Sequence, residues 1–252
     1  MSGPQELDDG RLAARIATEA GQRLLAIRAE HGSADPTGLK DAGDQGAQDV
    51  IAAALTRARP GDAVLSEEAR DDKSRLSAER VWIVDPLDGT REFSEAGRTD
   101  WAVHVALWES GELTVGAVAL PALGLTLSTH EAPELTVAHG GPPRLIVSRT
   151  RPPALVAALC ERIGGVTVPM GSAGAKAMAV VRGEADAYVH SGGQFEWDSA
   201  APVAVCRAAG LHTSRIDGSP LHYNNDDPYL PDLLICRREL ATALLEGIAA
   251  ES

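Results

Sequence analysis

The chain has 252 residues, and its 23 lysines and arginines against 36 aspartates and glutamates give a formal net charge of −13. With 44% hydrophobic and 23% charged residues it has the composition of a folded protein long enough to bury a large core, which excludes a disordered chain. The acidic balance and the lack of any Lys/Arg stripe exclude a general nucleic-acid coat, but leave phosphate substrates open, because carboxylates recruit a divalent cation that binds phosphate.

Leu12, Ile16, Leu24 and Ile27 share one face of a helix that begins near Asp8 or Asp9. A loop follows over 32–38, rich in Gly, Ser, Asp and Pro. A second helix is expected over 44–59, with Val50, Ile51, Ala54 and Leu55 buried, and Pro60-Gly-Asp62 turns the chain into a short strand at 63–65. The apolar run Val81-Trp-Ile-Val84 predicts a strand buried on both faces. From Trp101 to Ser128 the texture is β, with Val103, Val105 and Leu107 alternating with Ala102, His104 and Ala106. Glu109-Ser-Gly-Glu112 reads as a hairpin turn, and strands over 113–120 and 123–128 are interrupted by Pro121. The texture changes around His139-Gly-Gly-Pro-Pro143. Beyond it, strands at 145–148, near Val166, at 185–190 and at 233–236 alternate with helices near 153–163, 173–182, 198–208 and from Arg238 onward. The expected organisation is an α+β part over 1–138 followed by an α/β part over 139–252.

Residues 1–9 lack the basic segment and apolar stretch of a signal peptide, and no apolar run approaches the roughly 20 residues that span a bilayer. The expectation is a soluble, cytoplasmic protein. Cys160, Cys206 and Cys236 are widely spaced, fit no metal motif, and are expected as buried thiols.

The most informative stretch is Val81-Trp-Ile-Val-Asp-Pro-Leu-Asp-Gly-Thr90. A buried strand ends in Asp85, Pro86 stiffens the exit, and Asp88 follows three residues on. Two carboxylates at the mouth of a strand suit a hard cation such as Mg²⁺, and the Leu87 carbonyl between them offers another oxygen. Gly89-Thr90 then reads as the opening of a helix, whose free N–H groups suit an anionic oxygen. By itself, Asp-Pro-Leu-Asp-Gly is equally a turn. Ser66-Glu67-Glu68 places a carboxylate just after the strand at 63–65, and Glu67 meets Asp85 if the two strands are neighbours. Glu68, Asp71 and Asp72 read as an exposed acidic patch. Asp198, in Phe195-Glu-Trp-Asp-Ser-Ala-Ala201, begins an Ala-rich helix, and both helix capping and metal ligation are open to it.

In this order and spacing, Ser66-Glu-Glu, Trp82-Ile-Val-Asp-Pro-Leu-Asp-Gly-Thr90 and Glu196-Trp-Asp-Ser-Ala-Ala201 resemble the signatures of the inositol monophosphatase superfamily over nearly the whole chain. Asp-Pro-Leu-Asp-Gly-Thr-Arg-Glu-Phe93, followed by Trp101 to Pro121, is most similar to its CysQ branch, the 3′(2′),5′-bisphosphate nucleotidases. Glu92 stands where inositol monophosphatases more often carry Asn. The resemblance implies a layered αβαβα sandwich with two or three Mg²⁺ ions on Glu67, Asp85, the Leu87 carbonyl, Asp88 and Asp198. It implies that Gly89 and Thr90 hold the scissile phosphate through backbone N–H groups, next to Leu87, Asp88 and Asp198, and that Asp44 pairs with Thr90 to orient the attacking water. Lys40-Asp-Ala-Gly43 departs from the Val-Thr-x-Ala that usually precedes that aspartate, which brings Lys40 or Asp41 forward in its place. Gly171-Ser-Ala-Gly-Ala-Lys176 is similar to the segment on the nucleoside side of the substrate, making Ser172 and Lys176 specificity candidates.

The implied activity is removal of the 3′-phosphate of 3′-phosphoadenosine 5′-phosphate (PAP) and its sulfated form PAPS in sulfate assimilation, by a lithium-sensitive homodimer. Inositol 1-phosphate and fructose 1,6-bisphosphate are the alternative substrates. A non-catalytic Mg²⁺- or anion-binding protein is the alternative of another class.

Phosphate monoester hydrolysis needs a nucleophile, neutralised phosphoryl charge and a stabilised leaving oxygen, and metals on clustered carboxylates supply all three. Asp88→Asn is therefore expected to cost activity far more than stability. Lys176 reads either as the partner of a second phosphate or as a solvated helix lysine. Arg91 and Glu92 read as shaping substrate choice or as a surface salt bridge. No histidine pair has zinc-site spacing, and His104 is expected to be structural. There is no Gly-x-Ser-x-Gly elbow and no P-loop, so serine-hydrolase and NTPase readings lack support.

Overall fold

Asp8 accepts the backbone N–H of Arg11 at 2.8 Å and caps α1 (Asp9–His31), where the sequence places the helix start. The computed structural model describes residues 7–32, 35–136 and 140–251. The N-terminal residues 1–6, part of the loop at 32–38 and the division at 138/139 lie outside the described residues.

The second helix, α2 (Pro36–Ala58), starts eight residues earlier than expected. Asp35 caps it by accepting the Gly38 N–H, and Pro36 at the first helical turn costs no hydrogen bond. Lys40 and Asp41 therefore lie on the same helix as Asp44, four and three residues before it and on a shared face, whereas the sequence places the helix start only at Asp44.

Five strands form the first sheet: β1 (Ala63–Ser66), β2 (Arg80–Asp88), β3 (Ala102–Glu109), β4 (Glu112–Leu120) and β5 (Leu125–Ser128), in that order. β1 runs parallel to β2 and the remaining pairs are antiparallel. The second sheet contains β6 (Arg144–Ser148), β7 (Val166–Met170), β8 (Ala187–Phe195), β9 (His212–Ser214) and β10 (Tyr229–Cys236), in the order β7-β6-β8-β10-β9. β6 is parallel to β7 and β8, whereas β10 is antiparallel to β8 and β9. The remaining helices are α3 (Thr90–Ser94), α4 (Leu155–Ile163), α5 (Ala173–Val181), α6 (Glu196–Ala208) and α7 (Arg238–Glu251).

Period-2 alternation sorts the strand residues into layers. Trp82 and Val84 of β2, with Val103, Val105 and Leu107 of β3, pack on Leu12, Ile16, Leu24 and Ile51 of α1 and α2. From the opposite face, Val81, Ile83, Ala102 and Ala106 meet Met178, Val180, Ala201 and Val205 of α5 and α6. Tyr188, Leu233 and Ile235 of the second sheet close the same central cluster from the other side. On the far face of that sheet, Leu145, Val147, Val189 and Leu234 pack on Leu159, Leu244 and Ile248 of α4 and α7. The layers are thus α1/α2, sheet, α5/α6, sheet and α4/α7, the αβαβα sandwich expected.

Gly116 of β4 lets α6 approach closely. A Cβ there would stand 2.6 Å from Ala204 Cβ and 2.8 Å from the Ala201 carbonyl. Among the described residues no helix is long and apolar enough to cross a membrane. Cys160, Cys206 and Cys236 are buried free thiols, as expected.

Candidate active site

The expected strand ending at Asp85 in fact continues to Asp88, and the acidic motif lies within it. Asp85 continues the face of Val81 and Ile83, and so points into the central helical layer. Strict alternation would turn Asp88 away from it. Across the antiparallel pair, however, Asp85 is opposite His104 and Asp88 opposite Ala102, so three residues of β2 span two of β3. This bulge at Pro86-Leu87 returns Asp88 to the face of Asp85. β1 lies parallel alongside, with Ser66 opposite Val84, and the Glu67 N–H donates to the Val84 carbonyl at 3.4 Å. Glu67 thereby comes beside Asp85, the convergence expected of neighbouring strands.

The third carboxylate comes from α6. That helix begins at Glu196, so Asp198 is its third residue rather than its cap. Its Oδ2 accepts the Phe195 N–H at 2.6 Å, which ties the carboxylate back across the first turn. Asp85, Asp88 and Asp198 each present an oxygen within 4.8 Å of the others.

Their hydrogen bonding is unequal. Asp88 Oδ1 accepts the Ala173 N–H at 3.1 Å, and Oδ2 accepts the Ser172 hydroxyl at 2.5 Å and the Gly174 N–H at 2.6 Å. Asp88 thus also fastens the N-terminus of α5 to β2. Asp85 Oδ1 accepts the Leu87 N–H at 3.0 Å, whereas its fully buried Oδ2 has no hydrogen-bond partner.

Burial pushes the Asp85 carboxyl far up, and the nearby charges of Glu67, Asp88 and Asp198 add to the rise. Burial, then the Asp88 charge, lifts Asp198 to about 6. Glu67 is raised to about 7, first by the low-dielectric walls around it and then by Asp198, although its side chain remains open to solvent, which moderates the rise. Burial would also raise Asp88, but the His104 ring, the Lys176 charge and the Ser172 hydroxyl together hold it below the ordinary range. An orphaned buried oxygen among mutually repelling carboxylates fits a hard divalent cation, which would satisfy the oxygen and relieve the repulsion.

Asp44 of α2 faces the same site. Its carboxyl is raised to about 7, chiefly by burial and then by Glu68 and Asp41, with Lys40 and the Thr90 hydroxyl opposing. The structure brings Asp44 to Thr90 and sets Lys40 and Asp41 one turn away, as charges that bias Asp44. The Thr90 hydroxyl donates to the Leu87 carbonyl at 3.1 Å, so this oxygen is partly engaged. Gly89 is left-handed, with φ 87°, and starts the short helix α3 beneath Ser172.

Lys176 is not a solvated lysine. It is buried, donates from Nζ to the Ser172 carbonyl at 2.7 Å, and lies 5.1 Å from the Tyr188 ring centroid. Burial lowers its pKa, opposed by the charges of Asp88, Glu92, Asp198 and Asp100. Glu92 is likewise buried and is paired with Arg149 at 2.6 Å, while Arg91 beside it is exposed. Of the acidic patch, Glu68 and Asp72 are exposed as expected, Asp72 also capping a 3₁₀ turn, whereas Asp71 is half-buried and pairs with buried Arg75 at 2.7 Å.

His104, expected to be structural, is buried as such a residue would be and lies against the acidic cluster. It alternates with Val103 and Val105 and is therefore aimed into the central layer, fully buried. Its Nδ1 lies 3.0 Å from the Trp197 carbonyl, and its Nε2 lies 3.2 Å from Asp88 Oδ2, at ion-pair distance but out of line for a hydrogen bond. Gly174 leaves room for this ring, since a Cβ there would fall 2.1 Å from Nε2. The period-2 pattern already placed His104 on the Asp85 face, and that was the available signal.

Above the carboxylates opens a cavity of about 470 Å³. Asp88, Gly89, Thr90, Ser172, Lys176 and Asp198 line one part, and Ser148, Thr150, Arg151, His190, Gln194 and Phe195 contribute to the rest. The second group comes from β6, β8 and their loops, and apart from Phe195, next to the Glu196-Trp-Asp motif, carried no sequence signal.

The profile of the inositol monophosphatase family matches residues 9–152 and 148–251. The chain is 54% identical to the 3′-phosphoadenosine 5′-phosphate phosphatase of Mycobacterium leprae (strain TN), over 98% of this chain and 95% of that protein. It is 32% identical to the 3′(2′),5′-bisphosphate nucleotidase CysQ of Escherichia coli (strain K12), over 75% of this chain and 81% of that one. Among solved structures, CysQ from Bacteroides thetaiotaomicron superimposes with a TM-score of 0.75 at 26% identity, covering 91% of this chain and 97% of that chain. Inositol monophosphatase II from Staphylococcus aureus MSSA476 gives a TM-score of 0.78 at 19% identity with 94% of each chain covered, a likeness of fold.

Proposed function

The chain belongs to the inositol monophosphatase family, and from that premise we propose that it removes the 3′-phosphate of PAP and of PAPS in a Mg²⁺-dependent reaction. The observation that supports metal-dependent chemistry is the meeting of Asp85, Asp88 and Asp198 beside the cavity, with Asp85 Oδ2 unpartnered. The named activity of the relatives supplies the substrate.

On this reading Glu67, Asp85, the Leu87 carbonyl, Asp88 and Asp198 hold two or three Mg²⁺ ions. The bound cations supply charge neutralisation at the phosphoryl oxygens, activation of water and stabilisation of the leaving oxygen. The protein's own groups do the rest. Thr90, fixed through its hydroxyl to the Leu87 carbonyl, orients the attacking water. When the Thr90 hydroxyl turns from the Leu87 carbonyl to Asp44, it hands its own proton to that carboxylate, its pKa near 7, while taking the proton of the attacking water. Gly89 and Thr90 hold the scissile phosphate through their N–H groups. Lys176 sets a buried positive charge on the cavity wall, opposite in sign to a second phosphate. Ser172 acts through Asp88, holding its carboxylate in place. The family resemblance also supports cytoplasmic work in sulfate assimilation by a lithium-sensitive homodimer.

The test is phosphate release from PAP, inositol 1-phosphate and fructose 1,6-bisphosphate, each with Mg²⁺, with EDTA and with added Li⁺. Mg²⁺-dependent, Li⁺-inhibited turnover fastest on PAP is expected. A preference for either sugar phosphate would overturn the substrate, and Mg²⁺ binding without turnover on any would overturn the enzyme reading.

A further inference from the structure

Phe195 has no part in the phosphate chemistry, yet it lines the cavity and remains 43% exposed. A single exposed phenylalanine is ordinary on an open surface. This one is built into a ligand-sized wall and held from three sides. Its ring stacks on Trp197 with centroids 4.8 Å apart and planes 13° from parallel. It meets Tyr229 edge-on at 6.1 Å and 82°. Its backbone N–H is fastened to Asp198 Oδ2 at 2.6 Å, three residues from the acidic cluster. Trp197 takes one face of the ring, and the residue itself is part of the cavity lining. Tyr188 also lines the cavity, but it is buried with Lys176 over its ring, and the other contributors here, Lys176, His190, Gln194 and Arg151, are polar and suit phosphate or sugar oxygens.

We propose that Phe195 is the platform on which the nucleobase of the substrate stacks, and that it makes the site select nucleotides over sugar phosphates. This deepens the phosphatase reading above and rests on it. A ring already fixed by Trp197 and Tyr229 pays little ordering cost when a planar ligand lies on it. Stacking on an aromatic plate is tolerant of base identity, so the selection is for a base over none, not for adenine over guanine. Trp197 and Tyr229 act as positioning residues.

The experiment compares two competitive inhibitors that share a sugar and a phosphate but differ in the base, AMP and ribose 5-phosphate. It uses the intact protein and the variants Phe195→Ala, Phe195→Leu and Phe195→Tyr. In the unmodified protein AMP inhibits PAP hydrolysis at lower concentration than ribose 5-phosphate. Phe195→Ala and Phe195→Leu raise the AMP inhibition constant and the KM for PAP about tenfold or more. They leave ribose 5-phosphate inhibition in place, which also reports that the variants are folded, and Phe195→Tyr restores the AMP value. Equal inhibition by the two compounds in the unmodified protein, or equal loss of both in the variants, overturns the proposal. Calorimetric binding of AMP and ribose 5-phosphate, run in parallel, reads the same contrast without turnover. Failure to hydrolyse PAP is thereby distinguishable from failure of the stacking platform.

Discussion

At the scale of single residues, the site is defined by how differently its carboxylates are satisfied. Asp88 is saturated by Ser172, Ala173 and Gly174, while Asp85 has one buried oxygen with no partner. Asp85 is thus the residue whose charge costs the protein most when no cation is bound. Asp85→Asn is expected to lower turnover by at least about a hundredfold. The same change raises the melting temperature in EDTA, because a neutral amide removes repulsion from Glu67, Asp88 and Asp198. Thermal melts with EDTA and with Mg²⁺ check this, and a variant less stable in EDTA would contradict it. For Thr90→Val the expected outcome is a drop in kcat of about a hundredfold with the Mg²⁺ dependence retained, measured by titrating activity with Mg²⁺. The type of each residue was legible in the sequence. Their hydrogen-bond burden was not, because the partners of Asp88 lie more than eighty positions downstream.

At the scale of elements, the acidic motif works because β2 bulges between Asp85 and Asp88 and because α5 and α6 direct their first turns at it. Asp88 fastens α5 to β2 as well as facing the site, so the sequence-based expectation for Asp88→Asn needs amendment. An amide cannot accept on both sides of its head group, and the bonds to Ser172, Ala173 and Gly174 cannot all survive. The variant is therefore expected to lose stability along with activity, with a lower denaturant midpoint in both EDTA and Mg²⁺. α6 is equally constrained at Gly116. Gly116→Ala forces a Cβ against Ala204 and the Ala201 carbonyl and is expected to cost about 1–3 kcal/mol. Since α6 carries Asp198, the Mg²⁺ concentration for half-maximal activity rises too. An unchanged Mg²⁺ requirement alongside the lost stability would show that the shift in α6 does not reach Asp198. The helix and strand periods were legible, and so was their order. The early start of α2 and the extension of β2 through the motif were not, because Pro36 and Pro86 read locally as breakers and are placed instead at a helix start and a bulge.

For the whole molecule, the cluster couples folding to pH and to metal. Asp44 and Glu67 near 7 and Asp198 near 6 all have carboxyls raised above their unfolded values. A raised acid favours the folded state while protonated, and that contribution is complete below the unfolded value, near 4. It disappears as the pH climbs through 6 to 7. The metal-free protein is therefore expected to lose melting temperature between about pH 4 and 7, apart from any acid unfolding at lower pH. Mg²⁺ competes with the same protons, so the stabilisation it gives grows over that interval. Melts from pH 5 to 8 with EDTA and with saturating Mg²⁺ should diverge with rising pH, and parallel curves would contradict the assignment.

The sequence by itself determined the order of helices and strands and the apolar face of each, because periods of 2 and 3.6 residues sort apolar side chains onto faces wherever the chain finally packs, while the layered sandwich was implied by the family resemblance. It also determined the residue types of the acidic cluster, because local motifs carry them. Tertiary structure alone decided which of those carboxylates is satisfied and which is left orphaned, and that His104 lies against Asp88. It alone set Phe195, Trp197 and Tyr229 together beside the cavity. The reason is physical: hydrogen-bond satisfaction, burial and ring stacking depend on groups distant in the chain, and only packing two sheets around α5 and α6 brings those groups within reach.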